Sequence, residues 1–120
     1  MVVYAGRSLV LDEMSKYVDS ILFAWQLGTM AGPALADLIL GNISPSGKTP
    51  ISFPRAVGQI PLYYNKKNTG RPNNTHDPIP FSSCYIDLDP QPLYPFGFGL
   101  SYCNFTYSDL KLSRTSIGFG

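Results

Sequence analysis

Ten of the eleven prolines fall between Pro45 and Pro95. Proline has no backbone N–H and a fixed φ, so it is excluded from helix interiors and from central strands. No long helix and no fully paired strand can cross that part of the chain, and regular structure is confined mainly to what precedes it. There the apolar residues are patterned. Met1 to Ala5 is a short run rich in Val, consistent with a strand buried on both faces, and Gly6 ends it. Leu9 to Val18 places Leu11, Met14 and Val18 at spacings of three and four, which predicts a short helix, with Asp12 and Glu13 near its positive end. Ser20 to Trp25 is a second apolar strand. Gly28 and Gly32 bracket a turn. Pro33 suits a first helical turn, where a missing N–H costs nothing. That helix continues through Ala34-Leu-Ala-Asp-Leu-Ile-Leu to Gly41, a residue suited to a C-terminal stop. Thr49 to Phe53 is expected to form a third short strand, placed at a strand start or a sheet edge by Pro50.

Strand, helix, strand, helix, strand at this spacing predicts parallel crossover units, an α/β architecture with helices on the sheet faces. Three such apolar strands imply further neighbours. Beyond Phe53 the periodicity stops. Arg55 to Pro95 reads as a long irregular arm, and segments of that length without regular structure are commonly functional or linking. After it, Phe105, Tyr107, Leu110 and Leu112 between Asn104 and Leu112 predict a β-strand with one apolar face, too short to fold alone.

Composition removes several classes of function. Hydrophobic residues make up 44% of the chain and charged residues 14%, with a formal charge of +1, which is globular and gives no electrostatic basis for nucleic acid or an anionic membrane as partner. The longest apolar stretches are far below membrane-spanning length. Met1-Val-Val-Tyr-Ala-Gly-Arg7 has no charged region ahead of its apolar run and does not read as a signal peptide. Cys84 and Cys103 read as two thiols, although spacing alone leaves pairing open.

Candidate sites are few. Phe96-Gly-Phe-Gly99 lacks the third glycine and the following helix of a phosphate loop, so it reads as a tight aromatic turn. Cys103 stands where a nucleophile elbow needs glycine. His76 is the only histidine, and no metal site or cofactor is expected. Asp87 and Asp89 would share a face in a strand, but Pro90 and Pro92 favour a solvated loop. Tyr63 and Tyr64 precede Lys66, Lys67 and Arg71, a mixture that can stack on a base or a sugar face or simply anchor a solvated loop. Trp25 ends a parallel strand, where ligands of open α/β sheets sit, and fits either a binding platform or the core. Asn42-Ile-Ser44, Asn73-Asn-Thr75 and Asn104-Phe-Thr106 match the glycosylation triplet.

Together these segments resemble one family. Ile21-Leu-Phe-Ala-Trp25, Gly28 and Ala34-Leu-Ala-Asp-Leu-Ile-Leu-Gly41 resemble the second-domain strand and helix of family-three glycoside hydrolases of the β-glucosidase type. Ser44-Pro-Ser-Gly-Lys48-Thr-Pro-Ile-Ser-Phe-Pro-Arg55 is similar to that family's Asn-Pro-Ser-Gly-Lys/Arg-Leu-Pro-Val-Thr-Phe-Pro-Arg stretch. Val57-Gly-Gln-Ile-Pro-Leu-Tyr-Tyr64, Asn68-Thr-Gly-Arg-Pro72 and Pro92-Leu-Tyr-Pro-Phe-Gly-Phe-Gly-Leu-Ser-Tyr102 continue the likeness, which covers Val2 to Ser113. Position 27 departs, with Leu where the family usually has Pro, as does position 103, with Cys where it has Thr.

The resemblance implies a division into residues 1–64, the C-terminal part of the family's α/β sandwich domain, 65–101, a connecting arm, and 102–120, the start of a fibronectin-type-III-like β-sandwich. It implies a retaining hydrolase of terminal β-D-glucosyl residues, in which one carboxylate attacks the anomeric carbon and a second acts as acid and base. In the family the nucleophilic Asp lies in a preceding barrel domain and the acid/base upstream of the strand that begins here. Glu13, the only Glu, lies in neither context and reads as a helix-surface residue. No catalytic residue is therefore expected in this chain. Its expected partners are a β-glucoside or oligosaccharide, the barrel domain and the upstream half of the α/β domain, in a periplasmic or secreted parent that carries its own signal peptide. Trp25, Tyr64 and Arg71 are the candidate substrate contacts. The rival expectation is a noncatalytic carbohydrate-binding or structural module. An open reading frame continuing upstream of Met1 into a barrel separates the two.

Overall fold

The computed structural model describes residues 1–68, 70–72 and 80–118; His76 and the Asn73-Asn-Thr75 triplet lie outside them. Strand β1 (Val2–Val3) pairs in parallel with β2 (Leu22–Phe23), in the register Val2↔Leu22 and Val3↔Phe23. Leu22 N–H donates to Met1 O at 2.9 Å and Ala24 N–H to Val3 O at 2.8 Å. Helix α1 (Asp12–Ser15) lies in the connection between them and is only about one turn long, shorter than the Leu9–Val18 pattern predicts. Leu11, just before it, is buried and Val18 half-buried, but Met14 is half exposed, so the apolar stripe is covered only in part. Lys16 bridges Asp12 at 3.1 Å and Glu13 at 2.7 Å, and the hydrogen bonds it donates to Glu13 and Asp12 hold its ammonium above the ordinary lysine pKa. Glu13 is an exposed helix-surface residue, as the sequence suggests.

Helix α2 (Ala31–Ile39) carries Pro33 in its first turn and stops where glycine predicts. Gly41 has φ +77°, a left-handed conformation that glycine adopts without a Cβ clash. Gly41 N–H donates to Leu38 O at 3.2 Å and Asn42 N–H to Asp37 O at 2.9 Å. That is the paired C-terminal closure which satisfies two of the helix's orphan carbonyls. Leu35 is the residue α2 buries.

The expected third parallel strand is corrected by the structure. Residues 49–53 do not extend the β1–β2 sheet; they pair antiparallel with residues 93–98. Thr49 N–H donates to Phe98 O at 2.7 Å and Phe53 N–H to Tyr94 O at 2.8 Å, while Gly97 and Leu93 N–H groups return bonds to Thr49 O and Phe53 O. The physical reason is the placement of proline. Pro50 and Pro54 interrupt the donor row that a central strand needs, and the donors that remain at Thr49 and Phe53 are matched by a partner whose own row is interrupted at Pro92 and Pro95. Phe98 N–H closes a turn onto Pro95 O at 3.1 Å, so Phe96-Gly-Phe-Gly99 is indeed a turn. A Cβ at Gly99 would lie 2.5 Å from Gly47 O, so this close approach requires glycine.

Two further expectations change. The β1 strand is not covered on both faces, since Val2 and Tyr4 are exposed. The strand predicted over 104–112 forms no ladder among the described residues, and Phe105, Tyr107, Leu110 and Leu112 all face solvent. An extended segment becomes a strand only when another segment accepts and donates its backbone bonds.

Among the described residues the buried apolar side chains are Leu11, Ala24, Leu35, Phe53 and Pro54. The accessible surface of 9994 Å² exceeds the roughly 6,400 Å² expected of a globular monomer of this mass. The radius of gyration, 19.4 Å, likewise exceeds the roughly 14 Å of a compact domain of this length.

Candidate functional site

Phe53 is the pivot of the molecule. It is 1% exposed, and its ring meets Phe23 at 4.9 Å, Trp25 at 5.9 Å and Tyr94 at 6.2 Å, all edge to face. Edge-to-face contacts at these separations add to the burial of each ring. Phe23 and Trp25 come from β2 and its end, Phe53 from the segment after α2, and Tyr94 from the far end of the arm. The cluster thus fastens the arm to the α/β unit. Tyr94 in turn stacks on Phe98 at 5.1 Å.

Trp25 is half-buried in this cluster, 4.7 Å from Phe23, with φ +55°. That conformation is unfavourable for a bulky side chain and holds only where the surroundings fix it. It turns the chain sharply at the carboxyl end of β2. Trp25 therefore makes core contacts with Phe23 and Phe53 and leaves part of its surface open.

Tyr64 lies elsewhere. Its ring packs on Phe96 at 4.6 Å while 72% of the residue remains exposed. Two clefts, each of about 310 Å³, adjoin it. The first is walled by apolar side chains, among them Pro50, Pro54, Ile60, Leu62 and Phe96. The second is polar as well as apolar and includes Lys66, Lys67, Asn68, Ser83 and Gln91. Ser52, Leu62, Tyr63 and Tyr64 line both. Neither cleft is lined by Trp25 or Arg71, so the three candidate contacts are not gathered around one pocket. Arg71 is exposed, and its carbonyl accepts from Ser83 N–H at 2.7 Å, which sets the adjoining Pro72 into the wall of the second cleft.

The clefts keep their shape through residues to which the sequence reading gives no role. Gln59, only 2% exposed, accepts from Arg55 N–H at 2.7 Å and donates through Nε2 to Asp89 O at 2.8 Å. The Arg55 guanidinium reaches Asp12 at 3.3 Å and Asp89 at 3.5 Å, and its Nε donates to Gln91 O at 3.2 Å. Asp89 is thus half-buried and engaged rather than part of a carboxylate pair; its Oδ1 accepts from Gln91 N–H at 2.8 Å. No local pattern flags Arg55 or Gln59, because apart from their contact with each other their partners lie 30 to 43 residues away. Cys84 Sγ lies 3.1 Å from Ser82 Oγ, and no disulfide joins it to Cys103. Among the described residues no group of three or more His, Cys, Asp or Glu side chains could hold a metal ion, and no helix is long and apolar enough to cross a membrane.

Comparison with known proteins gives this geometry a context. The family described as glycosyl hydrolase family 3 C-terminal domain matches residues 1–102. The chain is 52% identical over 117 residues to a periplasmic beta-glucosidase of Salmonella typhimurium, covering 98% of this chain and 15% of that protein. It is 41% identical over 121 residues to a beta-xylosidase of Formosa agariphila, covering 98% of this chain and again 15% of the relative. The solved structure of beta-glucosidase from Listeria innocua in complex with isofagomine superposes with a TM-score of 0.78 at 43% identity, over 84% of this chain and 14% of that one. This chain therefore spans only about a seventh of the length of the proteins it matches. On the matched residues and the shared fold, the chain belongs to the glycosyl hydrolase family 3 C-terminal domain family.

Proposed function

We propose that this chain is the C-terminal part of a retaining β-glucosidase that releases terminal β-D-glucosyl residues, with both catalytic carboxylates supplied by other parts of the enzyme. In this reading residues 1–64 belong to the α/β domain, 65–101 form the connecting arm, and 102–120 begin a fibronectin-type-III-like domain. The observation that carries it is the 52% identity over nearly the whole chain to a periplasmic beta-glucosidase. The excess exposed surface supports it as well. A small buried core beside exposed Val2, Met30, Ile39, Leu40 and the apolar residues of 105–117 is what a segment looks like when its neighbours belong to the same larger enzyme. The name of that relative also supports a periplasmic or secreted parent.

The chemistry follows from the two-carboxylate scheme: attack on the anomeric carbon, protonation of the leaving oxygen, then hydrolysis of the glycosyl-enzyme. The role left to this chain is to position substrate. Tyr64 and Arg71 on the arm contact the sugar on the leaving-group side, the tyrosine through its open ring face and the arginine through hydrogen bonds to hydroxyls, while Trp25, apart from both, offers a separate apolar platform to the substrate. Replacing Arg71 by alanine in the full-length protein is expected to raise the Michaelis constant for a β-linked disaccharide about tenfold, the worth of one lost charged hydrogen bond. The constant for an aryl β-glucoside, which lacks the second sugar, should change little. Equal effects on both substrates would make the arm merely structural, and no hydrolysis of either by the full-length protein would remove the β-glucosidase reading.

A further inference from the structure

We propose that the cleft bounded by Tyr63, Tyr64, Lys66 and Lys67 binds an anionic saccharide, a sugar unit carrying a carboxylate or a phosphate. The inference rests on reading the arm as a saccharide-contacting segment, and adds the charge of what it contacts.

Three observations carry it. The first is size: about 310 Å³ lies at the small end of ligand sites and accommodates a single sugar ring. The second is the contrast across a shared wall. Tyr63 and Tyr64 line an apolar cleft and also a second cleft whose described lining includes Lys66 and Lys67 and no Asp or Glu. The third is that no ion pair among the described residues neutralises either lysine. The ion pairs among described residues are those of Lys16 and Arg55, and none involves Lys66 or Lys67. Asp89, on the segment that borders the cleft, is drawn toward Arg55 and the Gln91 amide. The lysines are held beside the tyrosines by a turn in which Lys66 N–H donates to Tyr63 O at 3.4 Å.

The chemistry of the walls matches a charged sugar better than a bare ion. An exposed aromatic face offers an apolar platform to the C–H face of a sugar ring. Asn68, Ser83 and Gln91 offer neutral donors and acceptors to hydroxyls. An ammonium is a compact charge with three donors, suited to a carboxylate or phosphate oxygen without demanding a fixed plane. A neutral sugar would use the aromatic and amide groups and leave both cations idle.

The test is calorimetric titration of the protein at low ionic strength with D-glucose, D-glucuronate, D-glucose 6-phosphate and acetate. The charged sugars are expected to bind about fivefold more tightly than glucose, the size of effect that exposed ion pairs give. Lys66→Gln/Lys67→Gln should abolish that preference, whereas Lys66→Arg/Lys67→Arg should keep it. A preference for glucuronate over glucose 6-phosphate, or the reverse, identifies which anionic group the cleft selects; either supports the proposal. Acetate binding as tightly as glucuronate would overturn it, since the cleft would then be a cation patch with no use for the sugar. Glucose binding as tightly as the charged sugars would overturn the anionic preference and leave the arm as a saccharide contact. Failure of every sugar to bind would overturn both.

Discussion

Phe53 and Tyr107 are both aromatic residues in extended, apolar-patterned stretches, yet one is 1% exposed and the other 94%. The difference is not in their own segments. Around Phe53 the backbone exchanges bonds with Leu93 and Tyr94, and rings arrive from β2 and from the arm. Around Tyr107 no partner strand lies alongside among the described residues, and every described position from Ser101 to Gly118 is exposed. An apolar pattern states what a segment can bury; a second segment with matching donors, acceptors and shape decides whether it does.

The largest expected effect tests that contrast directly. Phe53→Ala removes a ring packed on three others, and such truncations cost about 3–5 kcal/mol. With so few buried apolar residues, that is enough to remove a cooperative urea transition. Tyr107→Ala is expected to shift stability by less than about 0.5 kcal/mol, as exposed substitutions do. Equal effects from the two variants would break the comparison, because they would mean that the segment around Tyr107 is covered in solution.

The same contrast explains what could be read in advance. Helix α2 was legible because its signals are local: Pro33 in the first turn and Gly41 at the stop. The parallel start, β1 and β2 flanking a short helix, was legible from apolar runs and the glycine between them. The partner of residues 49–53 was not, since Pro50 only demoted the strand to an edge and the complementary donors at Leu93 and Gly97 lie 40 and 48 residues beyond their acceptors Phe53 and Thr49. The clefts were illegible for a similar reason. They form mainly where residues 50–72 meet residues 83–96, and their geometry depends on Gln59, an unremarkable residue in sequence that becomes the most buried polar side chain among the described residues. The aromatic and basic content of the arm was visible; that Tyr64 would separate an apolar cleft from a cationic one was not. For Trp25 the sequence allowed platform or core, and its left-handed backbone arises from the packing around Phe53, which no local pattern encodes.

Gln59 gives the next effect in size. Its amide serves Arg55 N–H and Asp89 O at once, joining the start of the arm to its return. Gln59→Ala leaves both groups without that partner in a buried place, a loss of about 1–3 kcal/mol. Gln59→Glu sharpens the point. It keeps an acceptor for Arg55 N–H but sets an oxygen against the Asp89 carbonyl, and the defect should ease in acid, where the new carboxyl can donate. Urea unfolding of the three proteins at neutral and acid pH checks this. If Gln59→Ala were neutral while Phe53→Ala was not, the rings alone would hold the arm.

The smallest effect separates charge from packing at the same joint. Arg55 connects Asp12 at the start of α1 with Asp89 on the returning arm, and the arginine and Asp12 side chains are each 28% exposed. Partial exposure means that solvent screens the pairs, and ion pairs of this kind contribute about 0.2–1 kcal/mol. Asp12 also has Lys16 at 3.1 Å, so loss of the guanidinium does not leave it alone. Asp89 loses more, because the charge lost there is accompanied by the Nε bond to Gln91 O on the same arm. Arg55→Met keeps most of the apolar stem that an arginine lays along its neighbours and removes only the charged fork. The expected result is destabilisation of at most about 1 kcal/mol in low salt, shrinking toward zero in 1 M NaCl, where the screening length is about 3 Å. Lys16→Met, at a pair confined to the α1 surface, should change less still. A cost above about 2 kcal/mol that salt does not reduce would show the guanidinium to be a buried structural element, and would place the joint with Phe53 rather than between the core and the exposed tail.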